Sequence, residues 1–129
     1  MTSASSKKTA VILLAHGTKE LEASIPVHQY AQALARKSGI QVEPCMREFI
    51  EPSVPAVVQK LVSQGMDQIV IIPFFLFNSA HVTQDIVKDL DREKAKYPHL
   101  DFKVGEPLGF DENVVIVLQK RLEKVLFKT

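Results

Sequence analysis

The sequence predicts an α/β domain built on a doubly wound, four-stranded parallel sheet. Short, continuous apolar runs alternate with segments of helical periodicity, in the order βαβαβαβα. Strands that are buried on both faces of a parallel sheet have such uninterrupted apolar runs. With right-handed crossovers, the strand order expected for this pattern is 2-1-3-4, with helices on both faces of the sheet.

The first half of the chain has clear boundary signals after its first apolar run, residues 11–14. Residues 21–37 carry apolar or small side chains at helical spacing, and the Ser-Gly pair that follows supplies a stop. Pro44 places the second strand, residues 40–49, at a sheet edge, because proline lacks the N–H that a central strand donates. Ser53 is expected to cap the second helix.

The second half contains the best-defined strand. Residues 68–73 include four consecutive β-branched apolar residues, and an apolar loop is predicted at residues 74–80. A third helix follows, and a short fourth strand is expected at residues 101–104. Asp111 can cap a last helix with an apolar face.

Composition indicates one globular domain. The 129 residues are 46% hydrophobic and 24% charged, with a formal net charge of +1 that points to neither nucleic acid nor a membrane surface. No apolar stretch approaches the roughly 20 residues that span a bilayer. Cys45 is the only cysteine, which excludes an internal disulfide and a cysteine-cluster metal site. We expect a flexible tail at residues 1–8, a single domain at residues 9–129 and a cytoplasmic location.

Two histidines follow the first and third predicted strands. His16 comes directly after strand 1, and His81 comes after strand 3 and its loop. Because these strands are neighbours in the order 2-1-3-4, both imidazoles are expected above the same switch-point crevice. Glu48 and Glu51 stand at the end of strand 2. Two imidazoles and a carboxylate, from Glu48 or Glu51, suit Co²⁺, Ni²⁺, Fe²⁺ or Zn²⁺, so we predict a metal site at His16 and His81.

Three segments resemble the signature segments of the small CbiX-type sirohydrochlorin chelatases, in the family's order and spacing. The resemblance covers nearly the whole chain, and the third segment, with its Ala-His-Val-x-x-Asp-Ile pattern, is the most specific. The segments are Leu13-Leu14-Ala15-His16-Gly17-Thr18, Phe49-Ile50-Glu51-Pro52-Ser53-Val54-Pro55, and Ile71-Ile72-Pro73-Phe74-Phe75-Leu76-Phe77-Asn78-Ser79-Ala80-His81-Val82-Thr83-Gln84-Asp85-Ile86.

The resemblance implies an ATP-independent class II chelatase, a lyase that inserts Co²⁺, or in relatives Ni²⁺ or Fe²⁺, into sirohydrochlorin for cobalamin or related porphyrin biosynthesis. It implies that His16 and His81 are the catalytic histidines and that Glu51 matches the motif glutamate, so the predicted metal ligands are His16, His81 and Glu51. It also implies no permanently bound cofactor, since the divalent metal is a substrate, and a homodimer that completes the site. Thr18-Lys19 and Asn78-Ser79 depart from the family's usual residues, which leaves metal preference and substrate fit open.

Metal insertion removes water from the ion and two pyrrole protons from the macrocycle. A neutral imidazole can bind the ion or accept a proton, so His16 and His81 can divide these roles, although the sequence does not assign them. The cations Lys19, Arg47 and Lys88 are candidates for binding the carboxylates of the substrate.

Other interpretations compete with this one. His16 can simply cap backbone groups, and Glu51 can supply charge at a helix N-terminus. A histidine phosphatase needs arginine where Ala15 stands, and a receiver domain needs a phosphorylatable aspartate where Pro73 and Phe74 stand. The strongest alternative is a non-catalytic carrier of a metal or tetrapyrrole that uses the same two histidines.

Overall fold

The four strands form one parallel sheet in the order β2-β1-β3-β4 in a computed structural model that describes residues 7–77 and 79–128. All three strand pairings are parallel, which confirms the predicted doubly wound α/β fold. The strands are β1 (Thr9–Ala15), β2 (Gln41–Met46), β3 (Gln68–Pro73) and β4 (Asp101–Val104).

Four α-helices follow the strands in alternation: α1 (Ile25–Ser38), α2 (Val54–Ser63), α3 (Ala80–Lys96) and α4 (Glu112–Leu126). The first begins later than predicted, and a 3-10 helix occupies Leu21–Ser24. Pro26 explains the difference, because its ring would clash with the carbonyl four residues earlier in a continuous α-helix. Ser53 caps α2 as predicted, by accepting from the Ala56 N–H.

The core has one apolar cluster on each face of the sheet. Among the described residues, α1 alone covers one face, where Val27 and Ala31 pack against alternate residues of β1. Helices α2 and α3 cover the opposite face, where Val58, Leu61 and Ile86 pack against the other residues of β1. Because β1 and β3 are parallel neighbours, their carboxyl ends lie on the same side of the domain, where the chain continues from β3 toward the start of α3.

The strand that contains Pro44 lies at an edge of the sheet, as the sequence predicted. Pro44 lies in β2, which pairs only with β1 within the described residues and is therefore an edge strand.

Lys7 and Lys8, which were assigned to the predicted tail, form hydrogen bonds with Asp101 and with Asp67. Residues 1–6 of that tail lie outside the described residues. No helix in the described ranges is long and apolar enough to cross a membrane.

Helix α4 differs from the other helices in its packing. Asp111 caps it as predicted, with a side-chain oxygen that accepts from the Asn113 N–H. Every residue of the helix remains at least partly exposed, including Leu118 and Leu122 at 61% and 56%. The apolar face predicted from periodicity is therefore present, and the described residues leave it uncovered.

Candidate functional site

The carboxyl ends of β1 and β3 lie side by side. Leu14 pairs with Pro73, and the Phe74 N–H extends the pairing by donating to the Leu14 carbonyl at 2.7 Å. His16 is the first residue after β1, and His81 is in the first turn of α3, which follows β3. Both histidines therefore follow the carboxyl ends of two neighbouring central strands, as the strand order predicted.

Aromatic contact holds the His16 ring. Its centroid lies 4.4 Å from that of Phe75, at an interplanar angle of 31°. The His16 carbonyl accepts a hydrogen bond from the Glu48 N–H at 3.0 Å. The side chain is thus supported by the loop after β3, while its backbone is tied to the loop after β2.

Gly17 allows this close approach of two loops. Its φ is +105°, and a Cβ at this position would lie 2.0 Å from the Glu48 carbonyl oxygen. Any other residue would be strained in this conformation and would collide with the backbone. The glycine of the His-Gly dipeptide is therefore required by the backbone path that positions His16.

His81 lies in a more open position. Its side chain is 86% exposed, and its Nε2 lies 3.5 Å from Oδ2 of Asp85, one helical turn later. The Ser79 side chain caps the helix by accepting from the Val82 N–H at 3.2 Å. His81 therefore stands on a capped helical turn with a carboxylate beside its ring.

Arg47 interacts with carboxylates of the chain itself. Its Nε donates to Oδ2 of Asp89 at 2.8 Å, its Nη2 lies 3.9 Å from Asp85, and its Nη1 contacts Glu48 at 3.3 Å. Of the other predicted substrate-binding cations, Lys19 lies with its Nζ 5.4 Å from the Phe49 ring centroid, and Lys88 is exposed. Lys19 and Lys88 are better candidates than Arg47 for binding an external anion.

Glu51 has a local structural contact. Its carboxylate accepts from the Ser53 N–H at 2.9 Å and so supports the turn before α2. Within residues 7–77 and 79–128, no three His, Cys, Asp or Glu side chains converge to hold a metal ion. The metal-ligand roles of His16, His81 and Glu51 therefore stay a prediction for this single chain.

The predicted apolar loop after β3 divides into buried and exposed parts. Phe74 packs on the α1 side, with its ring centroid 5.1 Å from that of Tyr30, and Phe75 supports His16. Phe77 is 80% exposed, and Asn78 lies outside the described residues. A cavity of about 270 Å³, lined mainly by apolar groups including Phe75, Ile86 and Val104, opens beside this loop.

Cys45 has no access to this chemistry. It is fully buried, and burial raises the pKa of its thiol to about 12. Cys45 is therefore a packed residue of the core.

Sequence reasoning gave no role to two carboxylates near the histidines. Asp85 and Asp89 follow His81 at intervals of four residues, so they lie along one side of α3. This spacing was visible in the sequence. Their contact with Arg47 was not, because it joins residues about 40 positions apart.

Comparisons with known proteins match nearly the whole chain. The CbiX family profile matches residues 10–125. A sirohydrochlorin cobaltochelatase of Sulfurisphaera tokodaii is 35% identical, over 90% of this chain and 92% of that protein. A sirohydrochlorin ferrochelatase of Priestia megaterium is 26% identical, over 89% of this chain and 44% of that protein. The cobalt complex of the sirohydrochlorin chelatase SirB from Bacillus subtilis subspecies spizizenii superposes with a TM-score of 0.81 at 26% identity, over 92% of this chain and 51% of SirB.

Proposed function

The chain belongs to the CbiX family, and from this membership we propose that it is a sirohydrochlorin chelatase, a lyase that inserts Co²⁺ without ATP. One observation carries the proposal. His16 directly follows β1, and His81 lies in the first turn of the helix that follows the neighbouring strand β3, in a chain similar over most of its length to a cobaltochelatase. Ni²⁺ and Fe²⁺ are alternative metal substrates, because imidazole binds each of these ions.

The reaction exchanges two protons for one metal ion. The two pyrrole N–H groups lose their protons, and the four macrocycle nitrogens replace water around the divalent ion. His16 and His81 supply neutral imidazoles that bind the arriving ion or accept a pyrrole proton. Because one nitrogen lone pair cannot do both at once, the two rings divide these steps. Glu51 is proposed as a further metal contact.

The surroundings of the histidines suit a flat, polyanionic macrocycle. Phe75 and the neighbouring cavity offer apolar surface for the ring system, and Lys19, which closely follows His16 in the sequence, lies with its Nζ 5.4 Å from the Phe49 ring centroid. Lys88 lies further along α3. We propose that the two lysines bind the peripheral carboxylates of the substrate, because ammonium groups form charge-assisted hydrogen bonds with carboxylates. The metal is consumed as substrate, and no resident cofactor is required.

A homodimer is part of the proposal, because the chain leaves two apolar surfaces incompletely covered. Val115, Leu118, Leu122 and Val125 recur along one side of α4 at spacings of three, four and three residues, and all are at least 40% exposed. On the α1 face of the sheet, Val70 and Ile72 are only partly buried. Exposed apolar stripes of this kind mark protein interfaces. A second copy would cover them and would enclose a macrocycle that one lobe can only line. We place the dimer in the cytoplasm.

The direct test is cobalt insertion followed by the absorbance change of sirohydrochlorin over several turnovers. The His16→Ala and His81→Ala variants are expected to lose at least about 100-fold in kcat, the lower range of a general acid–base contribution. The exposed His28→Ala variant on α1 is the matched control and should retain full activity. Wild-type rates in both His16→Ala and His81→Ala would exclude this mechanism.

A further inference from the structure

We infer that Arg47 and Asp85 are positioning residues that hold the His16 and His81 segments in a fixed relation. The inference rests on the proposed function for its effect on catalysis, but the contacts themselves are structural. Arg47 is the residue where the segment after β2 meets both the loop that carries His16 and the helix that carries His81.

The backbone next to Arg47 fixes the His16 segment. The Arg47 N–H donates to the Ala15 carbonyl at 2.9 Å, and the Glu48 N–H donates to the His16 carbonyl at 3.0 Å. These two bonds continue the β1–β2 pairing past the ends of both strands. The position of the His16 backbone therefore depends on the position of the Arg47 segment.

The side chain of Arg47 fixes α3. Its guanidinium lies between Asp89, at 2.8 Å, and Asp85, at 3.9 Å, on successive turns of the helix. Arg47 and Asp89 are only 20% and 12% exposed, so this interaction is shielded from solvent more than an ordinary surface ion pair. The planar guanidinium has donors in several directions and can serve both carboxylates.

Asp85 extends the connection to the histidine ring. The same Oδ2 atom that faces Arg47 lies 3.5 Å from Nε2 of His81. A carboxylate beside one ring nitrogen fixes the ring orientation and selects which nitrogen carries the proton. We expect Asp85, as the neighbour of Nε2, to favour the tautomer that carries its proton on that nitrogen.

The experiment compares Asp85→Ala and Arg47→Ala with two matched controls, Asp91→Ala on α3 and Arg36→Ala on α1, both at exposed positions. Long-range ¹H–¹⁵N spectra of the histidine rings report which nitrogen of His81 is protonated. Both test variants are expected to change that tautomer and to lower kcat for cobalt insertion by roughly 10–100-fold, with little change in the KM for sirohydrochlorin. The controls should match the wild type in both measurements. Arg47→Lys keeps the charge without the planar fork and replaces Arg47→Ala if that variant does not fold.

The outcomes separate this inference from the proposed function. Unchanged His81 ring signals in Asp85→Ala would overturn the positioning role, whatever the activity. If the ring signals change as expected but the wild-type protein inserts no cobalt, the positioning role stands and the proposed function fails. A loss of activity equal in the controls and the test variants would also overturn the inference, because it would reflect general destabilisation.

Discussion

At the scale of single residues, the site depends on backbone geometry as much as on imidazole chemistry. His16 is placed by the Gly17 backbone, which passes against Glu48 at a distance that leaves no room for a side chain. The sequence shows the His-Gly dipeptide but not the reason for its glycine. That reason lies in a contact with a segment about 30 residues away.

The Gly17→Ala variant is expected to be less stable than the wild type. The strained backbone conformation alone usually costs about 1–3 kcal/mol in the free energy of unfolding. The added Cβ would meet the Glu48 carbonyl at 2.0 Å, which increases the cost further. Gly39→Ala is the matched control, because Gly39 also has a positive φ, of +73°, but nothing within 4 Å of its would-be Cβ. Urea unfolding measures both variants. Equal losses of stability in the two would show that the contact with Glu48 is unimportant.

At the scale of elements, local signals predicted most of the fold. The third strand was predicted at residues 68–73, where β3 lies, because consecutive β-branched apolar residues favour a strand. The prediction for α1 began four residues early, because periodicity continues through the 3-10 turn and only the proline ring stops the helix there. His81 was predicted beyond a loop, and the cap at Ser79 places it within the first helical turn.

Ser79 is expected to contribute to the stability of the turn that carries His81. Its Oγ accepts from the Val82 N–H, so the Ser79→Ala variant leaves that N–H without its helix cap and should cost about 0.5–2 kcal/mol. Ser79→Asp keeps a side-chain acceptor and should remain close to the wild type. Urea unfolding of the three proteins provides the measurement. A Ser79→Ala variant as stable as the wild type would contradict the cap.

At the scale of the whole molecule, sequence patterns identify an apolar face but not what covers it. The periodicity of α4 is as regular as that of α2, yet α2 buries Val57, Val58 and Leu61 while each α4 residue stays at least partly exposed. The candidate site has the same property. His16 and His81 could be assigned to one crevice from strand order alone. The contacts of Arg47 with α3 required the three-dimensional structure, because no local rule connects residue 47 with residue 85.

The uncovered face of α4 leads to the last prediction, at this same scale. The wild-type chain is expected to sediment at twice its 14.4 kDa mass, and Leu118→Glu is expected to sediment as a monomer, because a carboxylate in an apolar interface loses its hydration. Lys120→Gln changes the net charge by the same amount at a polar position of the same helix and should remain dimeric.

If the dimer completes the site, cobalt insertion by Leu118→Glu should fall and should recover at protein concentrations high enough to restore pairing. A wild-type protein that is monomeric in sedimentation velocity at all concentrations would contradict the homodimer, and full activity in a monomeric Leu118→Glu variant would show that one lobe is sufficient for insertion.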